Sequence, residues 1–318
     1  MAQQSLTKNN NKPVFSVFMN QDNIKKLVQQ AVGKDAQRFT ASIISAVSNN
    51  PALHKCEQST ILSAALLGQS LGLSPSPQLG HYYLVPFEDK KNDRTVAQFQ
   101  IGYKGYIQLA MRSGQYTDLD VIEIKEGEYK GKDKRSGKQI FEFIEDDDVR
   151  ENLPTIGYMA YFELVNGFRK TIYWTKQKML NHADRYSPAF SKNGGDVIHT
   201  RYGDKVKVSF EDYEAGRYDP NDAWLYSSFW YKSFDDMAFK TMLRQLISKW
   251  GIMSIEMQDA FTRDDAVINE NGEPSYVEYN GDVNAVNYKD ERLDPVETSP
   301  VTAEEAAEFD FFSEGEAK

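Results

Sequence analysis

Two glycines that enclose a tyrosine and a lysine are the residues of this sequence best suited to hold a phosphate group. Gly102, Tyr103, Lys104 and Gly105 follow an apolar run and precede residues at helical spacing. Glycines let a ligand approach the backbone closely, and the N–H groups of a helix start, together with a lysine, donate to phosphate oxygens. Arg112 should emerge at the end of the same helix. A glycine-bracketed turn with a solvated lysine gives the same pattern, and spacing alone favours that simpler interpretation.

Two lysines in a predicted strand could contact a DNA backbone. Lys205 and Lys207 alternate in the segment KVKV, which would place both side chains on one strand face, with His199 and Arg201 nearby. An exposed edge strand protected by lysines has the same sequence, so the two interpretations are about equally supported.

A helix supplies further candidates. Lys240 and Arg244 are four residues apart, so they should form a basic stripe opposite the apolar face of one long helix predicted over residues 223–250. Exposed helix faces often show this pattern without binding DNA. Lys178 and Arg185, which flank the loop after another predicted helix, are weaker candidates.

The sequence lacks the motifs of several common enzymes that act on DNA. Its nearest approach to a phosphate-binding P-loop, residues 127–133, is one residue short and has an aspartate where magnesium needs a hydroxyl. The four histidines are isolated, and the single cysteine, Cys56, excludes a disulfide and a Cys-rich zinc site. We therefore expect no catalytic residues, no metal and no cofactor.

One enzymatic alternative remains open. Asp120, Glu123 and Lys125 resemble the acidic residue and Glu-x-Lys strand of magnesium-dependent nucleases, whose carboxylates hold the metal. Strand geometry puts Glu123 and Lys125 on one face and Asp120 on the other, which is poor for a shared metal. A surface ion pair explains the pattern more simply, so a magnesium-dependent DNA exonuclease is kept as the alternative.

Charge is distributed unevenly along the 318 residues, whose net charge is -10. Residues 258–318 carry four basic and 17 acidic residues, a net -13, whereas the remainder carries 33 basic and 30 acidic residues, a net +3. Such a body can hold a polyanion while the acidic segment repels, competes or recruits. Phe309, Phe311 and Phe312 lie among these acidic residues, an arrangement that resembles the partner-recruiting ends of single-strand binding proteins, although a solubilising tail with incidental aromatics is the slightly better supported interpretation.

Hydrophobic periodicity predicts an α+β fold: a helical N-terminal region, a central antiparallel β-sheet backed by helices, and a disordered acidic C-terminal tail. The predicted organisation is a flexible segment with an oligomerisation helix at 1–33, a core domain at 34–257 and the tail at 258–318. A mean hydropathy of -0.60 and the absence of a long apolar run predict no membrane association. With one cysteine and no secretory signal, we expect a cytoplasmic protein.

Three separated segments resemble one family. The segments LGLSPSPQLGHYYLVPF, AQFQIGYKGYIQLAMRSG and FDDMAFKTMLRQLISKW, within roughly residues 35–255, resemble the RecT family of phage and prophage single-strand annealing recombinases. The resemblance implies ATP-independent binding of single-stranded DNA and an annealed duplex intermediate, on a homo-oligomeric ring or helical filament. It also implies a partner exonuclease, and we expect a host single-strand binding protein as a further partner. A coating protein that binds single strands without annealing them is the non-enzymatic alternative.

Overall fold

The computed structural model describes residues 14–89, 91–200, 203–269 and 271–275, and confirms the α+β fold. Its α-helices are α1 (Phe15–Met19), α2 (Asp22–Val32), α3 (Ala36–Ser48), α4 (Gln58–Ser70), α5 (Tyr103–Arg112), α6 (Asp147–Glu151), α7 (Lys176–Tyr186), α8 (Phe210–Glu214), α9 (Phe229–Lys232), α10 (Phe234–Trp250) and α11 (Ile255–Arg263). Its strands are β1 (Tyr82–Asp89), β2 (Arg94–Ile101), β3 (Tyr116–Lys125), β4 (Tyr129–Lys132), β5 (Gln139–Phe141), β6 (Thr155–Leu164), β7 (Arg169–Thr175), β8 (Val197–Thr200), β9 (Gly203–Val206), β10 (Ala266–Ile268) and β11 (Pro274–Ser275).

The described strands are divided between two larger antiparallel sheets and two hairpins. One sheet has the order β1-β2-β10-β11 and the other β3-β6-β7, while β4 pairs with β5 and β8 with β9. The prediction of antiparallel pairing is therefore correct, but the strands do not form one continuous sheet. Strand β10 from the C-terminal part, rather than β3, continues the first sheet, because it pairs with β2.

The hairpin between β6 and β7 forms where its turn residues predict it. Asn166 and Gly167 connect the strands, and Gly167 has a φ of +81°, a conformation that glycine adopts without strain. The Asn166 side chain accepts a hydrogen bond of 2.9 Å from the backbone N–H of Phe168. The predicted start of the helix that follows β7 is also confirmed. The Thr175 hydroxyl accepts a hydrogen bond from the N–H of Lys178 in the first turn of α7.

Helix α10 lies at the centre of the fold, and its predicted start is wrong. A short 3-10 helix at Pro220–Tyr226 and the separate helix α9 precede it, so residues 223–250 do not form one helix. The chain breaks at Ser233, which has φ -150° and ψ 62°, outside the helical region. Five apolar side chains of α10 are completely buried: Ala238, Met242, Leu243, Leu246 and Ile247.

The predicted start of the disordered tail, at residue 258, is also wrong. Residues 258–275 contain most of α11 together with β10 and β11, and β10 pairs with β2 through Ala266 opposite Phe99. The apolar run Ala266–Ile268 explains this because Val267 packs with Phe87 and Val96 in the core. The remaining acidic residues and the phenylalanines at 309–312 lie outside the described residues. In the part of the chain that is described, no helix has the length and apolar character needed to cross a membrane.

Candidate nucleic-acid interface

The N-terminus of α5 is built against the loop that precedes β1. Gly102 is the residue before the first turn, and its N–H donates to the carbonyl of His81 at 2.9 Å. A Cβ on Gly102 would lie 2.2 Å from the carbonyl oxygen of Gly80, and one on Gly105 would lie 2.1 Å from that of His81. The expectation that Gly105 lets a ligand approach is therefore wrong: Gly105 is buried, and the backbone that approaches it belongs to the protein.

The outer side of this helix start is open. Among the described residues no side chain caps α5, so the first N–H groups of the helix, at Tyr103 and Lys104, point out of its end. Lys104 is exposed, and its ammonium group lies 5.8 Å from the ring centroid of Tyr103. The Tyr103 ring is only partly exposed because its edge packs on Phe239 of α10, with centroids 5.5 Å apart. Backbone donors and the Lys104 ammonium thus lie at one end of α5, where an anion can bind.

His81 is located between the positive charges of this region. Its Nδ1 accepts a hydrogen bond of 3.2 Å from the backbone N–H of Ser74. Partial burial lowers the pKa of His81, and the charges of Arg112 and Lys104 lower it further. The imidazole is therefore neutral at pH 7, and the positive potential at the helix start comes from Lys104, Arg112 and the helix dipole.

Arg112 holds the preceding loop onto the far end of α5. Its guanidinium donates to the carbonyl oxygens of Leu71 and Gly72, the latter at 3.2 Å. Arg112 is nevertheless an exposed residue. Its guanidinium forms these two hydrogen bonds with the protein and is otherwise accessible to solvent. Together with the contact between Tyr103 and Phe239, this interaction brings all three segments of the family resemblance to α5.

Lys240 is buried and Arg244 is only partly exposed, so the prediction that they form an exposed basic stripe is wrong. The Lys240 side chain is 5% exposed and lies 3.0 Å from the carboxylate of Asp264 and 3.5 Å from that of Asp265. Arg244 donates to Asp264 at 3.0 Å and contacts the hydroxyl of Tyr106 at 3.2 Å. Residue spacing does not indicate this network, because both aspartates lie in the acidic segment whose composition predicts a disordered tail.

The two buried aspartates of this network have opposite pKa shifts. Burial alone would raise the pKa of Asp264, but the charges of Lys240 and Arg244 hold it below its usual value. Burial, and then repulsion from Asp264, raise the pKa of Asp265 to about 7. Asp265 also has a φ of +65°, which Asn and Asp tolerate better than most residues.

The strand that carries Lys205 and Lys207 does not present a free basic face. Lys207 is 2% exposed and donates to the carbonyl of Ala189 at 2.8 Å, so the prediction that it lies on an exposed strand face is wrong. Lys205 is partly exposed and forms an ion pair of 2.8 Å with Asp222. Strand β9 ends at Val206, one residue before Lys207, so the alternation of KVKV does not continue as a strand.

The neighbouring candidates of this group add little positive potential. His199 is exposed, but its Nδ1 lies 2.8 Å from a carboxylate oxygen of Asp204. Arg201 lies outside the described residues.

The weaker candidates on α7 are exposed. The Lys178 ammonium lies 4.1 Å from the ring centroid of Trp174, and the Arg185 guanidinium lies 5.3 Å from that of Tyr186. Partial burial lowers the pKa of Lys178, and the charges of Lys249 and Lys132 lower it further. Lys178 is therefore part of a group of cations from several elements.

A basic hairpin is a further candidate that the predicted site residues do not include. Strands β4 and β5 and their turn carry five basic residues that are all exposed: Lys130, Lys132, Lys134, Arg135 and Lys138. Five cations within nine residues are a signal that the sequence itself contains, in the stretch that partly resembles a P-loop. The hairpin is attached to β7 through the stacked rings of Tyr129 and Tyr173, whose centroids are 4.5 Å apart.

The residues of the nuclease alternative form a local ion pair. Glu123 accepts hydrogen bonds from the ammonium of Lys125 and from the hydroxyl of Thr155, and the latter is 2.8 Å long. Burial alone would raise the pKa of Glu123, but these partners lower it below its usual value. Asp120 instead accepts from the N–H of Val121. Within the described ranges, no three His, Cys, Asp or Glu residues are grouped so that they could hold a metal ion.

Comparison with known protein families and sequences finds matches over most of the chain. The RecT family model matches residues 37–278, an interval that extends beyond the resemblance noted in the sequence and includes the folded residues 258–275. The protein YqaK of Bacillus subtilis (strain 168) is 36% identical over 249 residues, which cover 78% of this chain and 71% of YqaK. The protein RecT of Escherichia coli (strain K12) is 28% identical over 258 residues, which cover 78% of this chain and 79% of RecT. This chain therefore belongs to the RecT family, which supports a role in DNA recombination by single-strand annealing.

Proposed function

We propose that this protein binds single-stranded DNA and anneals complementary strands without ATP, as a homo-oligomer in the cytoplasm, and that it is not an enzyme. One observation carries the proposal. The three segments that resemble the family meet at α5, whose uncapped N-terminus faces solvent beside Lys104 and whose last residue is the exposed Arg112. An annealing protein needs such a cationic backbone contact and no group that makes or breaks a bond.

In this mechanism the protein contacts phosphates and leaves the base edges free. The N–H groups of Tyr103 and Lys104 and the Lys104 ammonium donate to a phosphate, while Arg112 adds positive potential at the other end of α5. Backbone contacts carry no sequence information, so any sequence is held with its bases open to a second strand. Base pairing then drives formation of the duplex intermediate, which accounts for annealing without nucleotide hydrolysis.

The oligomer requires a surface for self-association, and the N-terminal helices supply candidates. Phe15 and Met19 of α1 pack into the core, whereas Val14, Val17 and Leu27 expose apolar side chains. These exposed residues support an oligomerisation role for the N-terminal region within the proposed ring or filament. A partner exonuclease that produces single strands and a host single-strand binding protein complete the proposed pathway.

An annealing assay tests the proposal. The full-length protein should accelerate duplex formation between two complementary oligonucleotides, with neither ATP nor magnesium present. Lys104→Gln should slow this reaction and reduce the salt dependence of single-strand binding by about 0.7 in the log–log slope, the value for one neutralised phosphate. Lys91→Gln, in the turn between β1 and β2, is the matched control and should behave as the unaltered protein.

Three results would contradict the proposed function. Binding without acceleration would indicate a coating protein. Shortening of the DNA on addition of magnesium would indicate the nuclease. An unchanged salt slope for Lys104→Gln would place the DNA contact away from α5.

A further inference from the structure

Strand β7 carries a row of lysine and tryptophan side chains along an edge of the β3-β6-β7 sheet. Lys170 and Trp174 are four residues apart in this strand, so they point to the same face, about 13 Å from each other. The Lys170 ammonium lies 3.9 Å from the ring centroid of Trp250, the last residue of α10. At the other end of the row, the Lys178 ammonium lies 4.1 Å from the Trp174 centroid.

Two further lysines reach this row from other elements. Lys249 from α10 and Lys132 from β4 lie close enough to Lys178 for their charges to lower its pKa, in addition to the effect of its partial burial. Lys132 belongs to the basic hairpin, whose Tyr129 stacks on Tyr173, a residue that points to the opposite face of β7 from Lys170 and Trp174. Because β7 is the edge strand of its sheet, cations from β4, β7, α7 and α10 lie around this one edge.

Two features of this surface would become more favourable if a ligand bound. The charges of Lys249 and Lys132 disfavour the charged form of Lys178, and an anion bound beside these lysines would offset that effect. Trp250 is 47% exposed, although a large aromatic ring gains free energy from burial. A polyanion whose own aromatic groups can stack on tryptophan would remove both costs.

We propose that these six residues form a second binding surface for single-stranded DNA; the set, called here the Lys–Trp cluster, comprises Lys132, Lys170, Trp174, Lys178, Lys249 and Trp250. The lysines contact phosphates, and the exposed Trp250, together with the partly exposed Trp174, stacks on unpaired bases. A DNA duplex fits this surface less well because its bases already stack on each other.

The Lys–Trp cluster is separate from the start of α5. Asp236, in the first turn of α10, lies beside Lys104, whose charge counteracts the rise in the pKa of Asp236 that burial causes. Lys249 lies in the last turn of the same helix. The 13 residues between these positions correspond to about 20 Å at the rise of an α-helix. The surface can therefore hold either a later part of the same strand or the incoming complementary strand.

Tryptophan fluorescence of the full-length protein provides the test. Adding an oligothymidylate should quench the emission, and Trp250→Phe should remove a large part of this quenching. Trp224 is the matched control because it is also 47% exposed, and Trp224→Phe should leave the DNA-induced change intact. If Trp250→Phe is quenched like the unaltered protein, stacking at the cluster is excluded.

Charge substitutions test the lysines independently. The double variant Lys178→Gln and Lys249→Gln should lower the slope of log binding constant against log salt by about 1.4, or about 0.7 for each phosphate that is no longer neutralised. Lys91→Gln again serves as the control. An unchanged slope in the double variant would overturn the proposal.

The experiment separates this inference from the proposed function, on which it rests. If the unaltered protein neither binds nor anneals single strands, the proposed function itself fails. If it does both, and the cluster variants behave identically, only the second surface is rejected. Quenching of Trp250 by a peptide of residues 276–318, but not by DNA, would likewise reject it in favour of the acidic segment of the chain.

Oligonucleotides of two lengths distinguish which DNA strand occupies the Lys–Trp cluster. If the cluster holds a later part of the same strand, its variants should weaken binding to a long oligonucleotide more than to a short one. If it holds the incoming strand, they should slow annealing while binding to either length changes less.

Discussion

The hydroxyl of Tyr106 donates a hydrogen bond of 2.7 Å to the carboxylate of Asp264, a residue 158 positions later in the chain. The same carboxylate accepts from the backbone N–H of Ile101 at 2.8 Å and from the side chains of Lys240 and Arg244. Asp264 thus ties the C-terminal segment to β2, α5 and α10, and it does so directly beneath the helix that carries the candidate phosphate site.

Removing the charge of Asp264 should destabilise the fold strongly. Asp264→Asn leaves the buried Lys240 and Arg244 with less compensating charge, and removal of one partner of a buried ion pair costs about 3–5 kcal/mol. Denaturant unfolding should therefore show a lower free energy of unfolding by that amount. Asp35→Asn, which affects the exposed pair with Arg38, should cost less than about 1 kcal/mol. Equal effects of the two variants would contradict this role of Asp264.

Asp265 should make the stability depend on pH in the opposite sense from an ordinary surface carboxylate. Its pKa is about 7 in the folded protein, against about 3.9 in an unfolded chain, so the folded state binds more protons between these values. The stabilising contribution of protonated Asp265 is therefore lost as pH rises toward and through 7.

Asp265→Asn isolates this effect because Asn tolerates the positive φ and keeps an oxygen facing Lys240. The variant should gain stability relative to the unaltered protein as pH rises from 4 to 7, by at most about 1.4 kcal/mol per pH unit. Unfolding curves measured across this range provide the check. A difference that does not change with pH would show that Asp265 titrates normally.

The two glycines at the start of α5 should each be intolerant of alanine. In Gly102→Ala and Gly105→Ala the new methyl group would meet a backbone carbonyl at 2.2 Å and 2.1 Å, respectively. Such overpacking typically costs about 1–3 kcal/mol, and the required backbone shift should also weaken single-strand binding. Thermal unfolding and a binding titration measure the two effects. Gln108→Ala, on the exposed side of α5, is the control and should change neither property.

The acidic C-terminal segment should compete with DNA, provided that the truncation spares the folded residues. Residues 276–318 carry three basic and twelve acidic residues, a net -9. Deleting them should tighten single-strand binding, and the gain should be largest at low salt, where charge is least screened. Unchanged affinity at low salt would exclude competition. A deletion that begins at 258 would instead remove Asp264 and β10, so it would test stability rather than DNA binding.

A separate prediction concerns the phenylalanines of this segment. Replacing Phe309, Phe311 and Phe312 with alanine leaves the charge unchanged, so the affinity for single-stranded DNA should stay the same. Recruitment of a protein partner should weaken if these rings are its anchors. A pull-down from cell extract with the full-length protein and the triple variant compares the two. If the two proteins recover the same partners in equal amounts, the phenylalanines anchor none of them, and a solubilising role of the segment is the interpretation that remains.

The sequence by itself determined the features that depend on neighbouring residues. Asn166 and Gly167 form the turn of the β6–β7 hairpin because the required backbone conformation suits glycine. Thr175 starts α7 because its hydroxyl reaches an N–H three residues later. The helix start after Gly102 is local in the same sense, and these short-range signals were sufficient for the α+β class and for the place of the candidate phosphate site.

Only the tertiary structure decided which charged residues remain available for a ligand. Lys240 belongs to an exposed helix face in the sequence pattern, but its partners lie 24 and 25 residues away and bury it. Conversely, residue spacing does not indicate that Lys132 and Lys249 belong with Lys178, a candidate from the sequence; their charges act on Lys178 because β4, α7 and α10 come together near the edge of β7. The energy of a charge depends on its neighbours in space and on its exposure to water, and neither is encoded in residue spacing along the chain.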